Sequence, residues 1–239
     1  MRNKLPGHIA FIMDGNGRWA RRRGLPRLKG HQEGARTVRR IVEELMRLGV
    51  PEGTFFALSC ENYLKRPRKE IATLLKLLLR YLHEEESFLI ERKIRFVPIG
   101  RLNELPVEIS RRLRVLKRRT AENTNFTFRL AVNYGGRQEI WDAFLKLAAQ
   151  VARGQIKLSS VKKKGHELLR SYLYDPEMSD PDLLIRTGGY MRLSNFLLWQ
   201  VPYSELYITE VLWPSFSEKH LNEALKKYAR RKRKFGAVL

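Results

Sequence analysis

Ile9-Ala10-Phe11-Ile12-Met13-Asp14-Gly15-Asn16-Gly17-Arg18-Trp19-Ala20 is the stretch on which the fold turns. A short apolar run, residues 9–13, is followed by an aspartate and two glycines, so it reads as a buried strand that ends in a tight turn. Comparable runs predict strands over residues 54–59, 94–99, 126–132, 183–186 and 206–209. Helical patterns lie between them, over residues 34–48, 69–90, 107–122, 137–152 and 163–173, with a last one from 217 towards 234. Strands alternating with helices predict an α/β fold, with a largely parallel central sheet of about six strands flanked by helices.

Small and polar residues gather just after four of these strands. The first runs into Asp14-Gly15-Asn16-Gly17-Arg18, the second into Ser59-Cys60-Glu61-Asn62, the fourth into Asn133-Tyr134-Gly135-Gly136-Arg137 and the fifth into Arg186-Thr187-Gly188-Gly189. In open parallel sheets ligands bind beyond the carboxyl ends of the strands, so the four clusters predict one binding rim.

The first cluster fits the dinucleotide pattern G-x-G-x-x-G/A after a strand. Arg18 and Trp19 are bulky where a pyrophosphate must approach the backbone, and the acidic residue due about 20 positions on is missing. Glu61 comes too late for that role. Read as chemistry, the segment offers backbone N–H groups near a helix start, Arg18 as a diphosphate ligand and Asp14 as a magnesium ligand. The bland alternative for Asp14 is a turn-forming aspartate before glycine. Arg27 and His31 follow within the next turns.

The chain has 239 residues, 43% of them hydrophobic, which suits a single domain over 1–239 with a sizeable core. Cys60 is the lone cysteine, so no intrachain disulfide and no cysteine cluster can form, in keeping with a reducing cytoplasm. Met1 to Pro6 carries no signal-peptide core, and the longest apolar stretch, near Leu74 to Leu82, is broken by Lys76 and Arg80. A soluble, cytoplasmic protein is expected, with peripheral contact with a membrane left open.

Charge is the strongest compositional feature: 47 Lys plus Arg against 25 Asp plus Glu, a formal +22. Such a field attracts nucleic acid, acidic lipid or phosphorylated small molecules. Arg111, Arg112, Arg114, Lys117, Arg118 and Arg119 read as a solvated helix face. The stretch from Lys226 to Lys234, with seven basic residues in nine positions, reads equally as surface or as anion binding. No Gly-Lys-Ser/Thr loop, no zinc spacing and no nucleic-acid motif occurs, and no two aspartates are adjacent. Residues 69–90 carry an apolar stripe wider than one helix face (Ile71, Leu74, Leu75, Leu78 and Leu82, broadened by Leu77 and Leu79). It reads either as a helix buried on two sides or as one wall of a long apolar cavity, with Ala72 a trial position for narrowing that cavity.

From His8 through Ala20 the sequence resembles the cis-prenyltransferase family. The likeness continues through Gly30-His31, Ser59-Cys60-Glu61-Asn62, Asn133 to Arg137, Asp180 to Gly189, Met191 to Gln200, Tyr203 to Tyr207, Trp213-Pro214 and Phe235-Gly236. These blocks stand in family order. The resemblance implies a hydrophobic product tunnel, a homodimer and a Mg²⁺-dependent enzyme that adds isopentenyl diphosphate to an allylic prenyl diphosphate, with no nucleic acid as partner. It implies that Asp14 binds Mg²⁺ and that Gly15, Asn16, Gly17, Arg18, Trp19, Arg27 and His31 hold the allylic substrate. Ser59, Cys60, Glu61, Asn62, Tyr63 and Arg66 would lie between the substrates, with Asn62 the family's suspected proton acceptor. Because a neutral amide is a weak base, a diphosphate oxygen is the better acceptor, with Asn62 orienting the substrate. Arg186, Arg192, Leu193 and Ser194 would hold isopentenyl diphosphate, and Glu205 would be a second carboxylate near the metal.

This chain departs from the family pattern in three places. Tyr190 stands where glutamate is usual. Leu64 and Lys65 separate Tyr63 from Arg66 where one residue is usual, which leaves Lys65 or Arg66 as the phosphate ligand, the Arg66-Pro67 pair favouring Arg66. Lys234-Phe235-Gly236 replaces Arg-Phe-Gly and loses bidentate geometry. Two other readings are a non-catalytic subunit of a heteromeric prenyltransferase, which would be expected to lack Asp14 and Glu205, and a basic nucleic-acid-binding protein, which rests on charge alone.

Overall fold

A computed structural model describes residues 5–231. Six strands form one sheet in the order β3-β4-β2-β1-β5-β6: β1 His8–Ile12, β2 Glu52–Ser59, β3 Ile94–Ile99, β4 Phe126–Tyr134, β5 Leu183–Arg186 and β6 Glu205–Ile208. Every neighbouring pair is parallel. Parallel strands need crossovers, and from β1 to β5 helices supply them: α1 Asn16–Arg21, α2 Arg27–Leu48, α3 Cys60–Lys65, α4 Arg68–Glu84, α5 Glu86–Glu91, α6 Val107–Arg119, α7 Gly136–Ala152 and α8 Leu158–Arg170; β5 joins β6 by a loop, and α9 Glu218–Ala229 follows β6. β1 and β5 are buried at every position, as strands covered on both faces must be.

The strands fall within two residues of their sequence expectations. β6 begins and ends one residue earlier than residues 206–209. The segment expected as one helix over residues 69–90 breaks at Glu85 into α4 and α5. α8 spans a kink at Gly165, whose φ is 49°. The basic stretch beyond residue 231 and Lys234-Phe235-Gly236 lie outside the described residues.

Alternation along β1 divides the core. Ile9 and Phe11 face one side, with Ile41 and Leu45 of α2 and Leu221 and Leu225 of α9. Ala10 and Ile12 face the other, with Met178, Phe196 and Val201. Phe11 stacks on Phe55 at 4.7 Å, and Trp213 closes over both rings at 6.0 and 6.3 Å. Burial of such rings dominates the hydrophobic free energy of the core.

His8 starts β1 in full burial. Its ring lies 2.8 Å from the Thr54 hydroxyl through Nε2 and 2.7 Å from the Ser179 carbonyl through Nδ1. Only a neutral ring with the proton on Nδ1 can donate to that carbonyl while accepting from Thr54. Burial, helped by the Arg129 charge, lowers its pKa from 6.5 to about 4. The unfolded chain therefore takes up this proton first, and the stability it confers is lost as pH falls from 6.5 to 4. Urea unfolding should register a loss of about 3 kcal/mol from His8 across that interval. A His8→Asn variant should show a smaller drop; equal drops in the two proteins would exclude His8 as the source.

Candidate active site at the carboxyl rim of the sheet

Asp14 leaves the end of β1 and stands between two guanidinium groups. Arg18 Nη2 donates to Oδ1 at 3.3 Å, and Arg186 Nη2 donates to Oδ2 at 2.9 Å. Arg18 belongs to α1 and Arg186 ends β5, so the ion pairs join two neighbouring strand ends. Gly188 allows this crowding: its φ is 82°, and a Cβ there would lie 2.4 Å from Arg18 Nη2. Gly30 performs a similar service between helices, because a Cβ on it would lie 2.0 Å from the Asn16 carbonyl oxygen. Without that close approach α1 could not seat against α2.

Arg186 is only 2% exposed, and its other terminal nitrogen makes two hydrogen bonds, while the buried Nε has no protein partner among the described residues. Nη1 donates to the Arg192 carbonyl at 2.5 Å and to Ser194 Oγ at 2.7 Å. The loop beyond carries three non-glycine residues at positive φ: Ser194 at 51°, Asn195 at 62° and Leu197 at 47°. Such strain persists only where surrounding contacts over-determine it. Asn195 supplies them: its Nδ2 donates to Glu61 at 2.7 Å and Gln138 at 3.0 Å, and its Oδ1 accepts from the Arg137 N–H at 2.9 Å. The ends of β2, β4 and β5 are thus locked together, with Ser194 turned to the rim.

A second basic group forms where α2 meets α4. Glu70 pairs with Arg66 at 3.0 Å and with Arg27 at 3.4 Å. Burial, then the charges of Arg66 and Arg27, lower the His31 pKa to about 4, so its ring is neutral near pH 7. Its Nε2 is buried with no protein partner.

These residues border one cavity of about 1170 Å³. Its mouth holds Asp14, Gly15, Asn16, Gly17, Arg18, Arg27, His31, Ser59, Glu61, Asn62, Arg66, Arg186, Arg192 and Ser194. Its interior is apolar, walled by Leu74, Leu75 and Leu78 of α4 and by Phe88, Phe96, Phe128 and Leu130. Seven arginines line it against three carboxylates, Asp14, Glu61 and Glu85. Drug-sized ligands occupy pockets of about 300–1,000 Å³, so this one accommodates a long apolar chain with an anionic head.

Five sequence candidates are not brought to the cavity. Trp19 turns outward, its Nε1 donating to Ser215 Oγ at 2.9 Å with Arg23 over its ring. Tyr63 donates to the Glu104 carbonyl at 3.0 Å. Leu193 packs against the core cluster around Phe196. Cys60 is buried with its thiol on the Asn133 carbonyl, and desolvation pushes its pKa up to about 11, so it stays protonated. Glu205 lies apart from the rim within one chain. It pairs in register with Leu183 at the opposite end of β5 from Arg186, and its carboxylate meets Arg231. Three residues of strand, roughly 10 Å, separate it from the rim, so within one chain it does not stand beside Asp14.

Of the two alternatives for a phosphate ligand, Arg66 borders the cavity and Lys65 faces solvent. Ala72 is exposed on α4, away from the apolar wall. Glu210 was not singled out in the sequence, yet its carboxylate lies against Gly189, where a Cβ would be 2.4 Å from Oε2. Only the register of β5 with β6 could have pointed to it.

Comparison with known proteins agrees with this geometry. The family described as putative undecaprenyl diphosphate synthase matches residues 12–236. An isoprenyl transferase of Fusobacterium nucleatum is 45% identical over 238 residues, covering 100% of this chain and 99% of its own. One from Geobacter sulfurreducens is also 45% identical, over 98% of this chain and 94% of its own. Among solved structures, lavandulyl diphosphate synthase from Lavandula x intermedia, in complex with dimethylallyl diphosphate, superposes with a TM-score of 0.92 at 34% identity over 98% of this chain and 99% of that one. A probable undecaprenyl diphosphate synthase from Campylobacter jejuni gives a TM-score of 0.79 at 31% identity, with 98% and 99% covered. Fold and relatives together define a prenyl chain-elongating transferase. The chain belongs to the undecaprenyl diphosphate synthase family.

Proposed function

We propose that this enzyme condenses isopentenyl diphosphate with an allylic diphosphate primer, in a Mg²⁺-dependent reaction that sets cis double bonds. The observation that carries this reading is Asp14 held between Arg18 and Arg186 at the mouth of a deep apolar cavity. Among the described residues no cluster of three His, Cys, Asp or Glu could hold a metal. A rim carboxylate held between two arginines suits a cation that takes one protein oxygen and completes its shell with diphosphate and water, as Mg²⁺ does. Bound there with Asp14, Mg²⁺ supplies charge stabilisation to the departing diphosphate.

The residues of the chain supply the rest. Arg18, Arg27 and Arg66, with the free Nε2 of neutral His31, receive the allylic diphosphate, while Gly15, Asn16 and Gly17 shape the floor beneath it. Arg186, Arg192 and Ser194 hold isopentenyl diphosphate, whose alkene attacks the allylic carbon as its carbon–oxygen bond to diphosphate breaks. Ser59, Glu61 and Asn62 lie between the two groups, and Asn62 orients the incoming unit. The proton lost from the new chain passes to a diphosphate oxygen. Arginines aimed at the leaving oxygens stabilise the charge that develops on them.

Among the described residues no helix is long and apolar enough to cross a membrane. Exposed Arg21, Arg22 and Arg23 beside half-exposed Leu25, near the cavity mouth, support peripheral contact between a cytoplasmic enzyme and an anionic membrane. Trp141, 55% exposed, stacks on Phe144 at 5.5 Å beside exposed Leu145 on α7; this apolar patch supports a homodimer.

The apolar interior serves as the product tunnel. Chromatography of products made from labelled isopentenyl diphosphate tests the reaction, and chelation by EDTA should stop it. Leu78→Trp, which adds bulk to the cavity wall, should shift the distribution to shorter chains while the first condensation persists. Leu78 is a better site for this than exposed Ala72. An unchanged distribution across Leu74, Leu78 and Phe128 variants would place the tunnel elsewhere.

A further inference from the structure

Tyr190 follows the paired glycines of the β5 turn and is 47% exposed. Three guanidinium groups surround its ring: Arg192 at 4.5 Å from the centroid, Arg18 at 4.9 Å and Arg186 at 5.9 Å. All lie within the roughly 6 Å over which a ring quadrupole attracts a cation. Arg18 belongs to the group assigned to the allylic diphosphate, and Arg186 and Arg192 to the group assigned to the second substrate. Tyr190 therefore stands at the junction of the two subsites.

Three like charges this close repel one another, and something must hold them. Asp14 restrains Arg18 and Arg186 from one side but cancels a unit of charge in doing so. An aromatic ring attracts cations without neutralising them. A glutamate here, the residue usual in the family, would pair with the arginines and remove a further positive charge from the diphosphate sites. We propose that Tyr190 is a positioning residue: its ring holds Arg18, Arg186 and Arg192 in place for two neighbouring diphosphates while leaving their charge available. This rests on the two-diphosphate reading of the site.

Half-exposure of Tyr190 lets its substitutions be made without emptying the core, and circular dichroism checks that the fold is retained. Inorganic diphosphate, titrated calorimetrically, probes the arginines directly, and steady-state kinetics with each substrate varied in turn reads their use. Tyr190→Phe should bind within about twofold of the wild type, since the ring persists. Tyr190→Leu, of similar bulk but without a π face, should bind roughly five- to tenfold more weakly. It should raise KM for both substrates more than it lowers kcat. Tyr190→Glu should also weaken binding, with a shallower dependence on salt because the site carries less net charge. Wild-type affinity in Tyr190→Leu, or a loss in Tyr190→Phe as large as in Tyr190→Leu, overturns the proposal. Should the wild-type enzyme itself bind no diphosphate, the two-diphosphate reading fails and this proposal fails with it.

Discussion

Asp14→Ala should lower turnover by at least about a hundred- to a thousandfold, the range lost when a preorganised group that stabilises transition-state charge is removed. Fold loss is not the cause expected, because Asp14 sits at the cavity mouth and contributes little packing. Arg186 would lose one acceptor but keep the Arg192 carbonyl and Ser194 Oγ. Asp14→Asn separates charge from shape: the amide oxygen can still accept from a guanidinium, whereas a neutral group binds Mg²⁺ poorly. Rates for both variants are to be measured over a magnesium titration, with thermal unfolding alongside. Turnover near wild type in Asp14→Asn would sink the assignment of this carboxylate to the metal.

Arg27→Ala and Arg192→Ala should damage different substrates. Arg27 stands over Gly17 at the α1–α2 junction, 3.1 Å from where a Cβ would lie, whereas Arg192 belongs to the loop beyond β5. A charge-assisted hydrogen bond contributes about 1.5–3 kcal/mol, so each loss should weaken binding by roughly ten- to a hundredfold. Arg27→Ala should raise KM chiefly for the allylic primer; Glu70, which it leaves behind, still pairs with Arg66. Arg192→Ala should raise KM chiefly for isopentenyl diphosphate. Equal damage to both constants in both variants would refute the division into two groups.

The sheet was legible because its strands are short apolar runs ended by glycine or polar clusters, and burial on both faces permits little else. That rule also placed the rim, since ligand sites follow the carboxyl ends of parallel strands. Short helices were harder. α1 and α3 have six residues each, too few for a periodic pattern. The break at Glu85 leaves no mark in composition. Facing was the larger difficulty: the stripe of residues 69–90 announced an apolar wall, yet could not tell lining Leu78 from exposed Ala72. Glu70 and Glu210 read as ordinary surface carboxylates, because contacts across distant segments decide what they touch. Glu205 shows the converse. Its family block was plain in the sequence, but the register of β6 sets it at the far end of the sheet.

The position of β1 has a consequence for how the molecule is made. This strand lies inside the sheet, between β2, which follows within about fifty residues, and β5, which begins at Leu183. During synthesis the nascent chain can pair β1 with β2, and then add β4 and β3. Throughout that time the other side of β1 presents unpaired backbone, an open template for wrong partners. At the usual elongation rate of about 5–20 residues per second, the interval from the end of β4 to the end of β5 lasts on the order of 3–10 seconds. Asp14 and Arg186 meet across that last junction, so the candidate rim is assembled only once residues up to Arg186, about four-fifths of the chain, have left the ribosome.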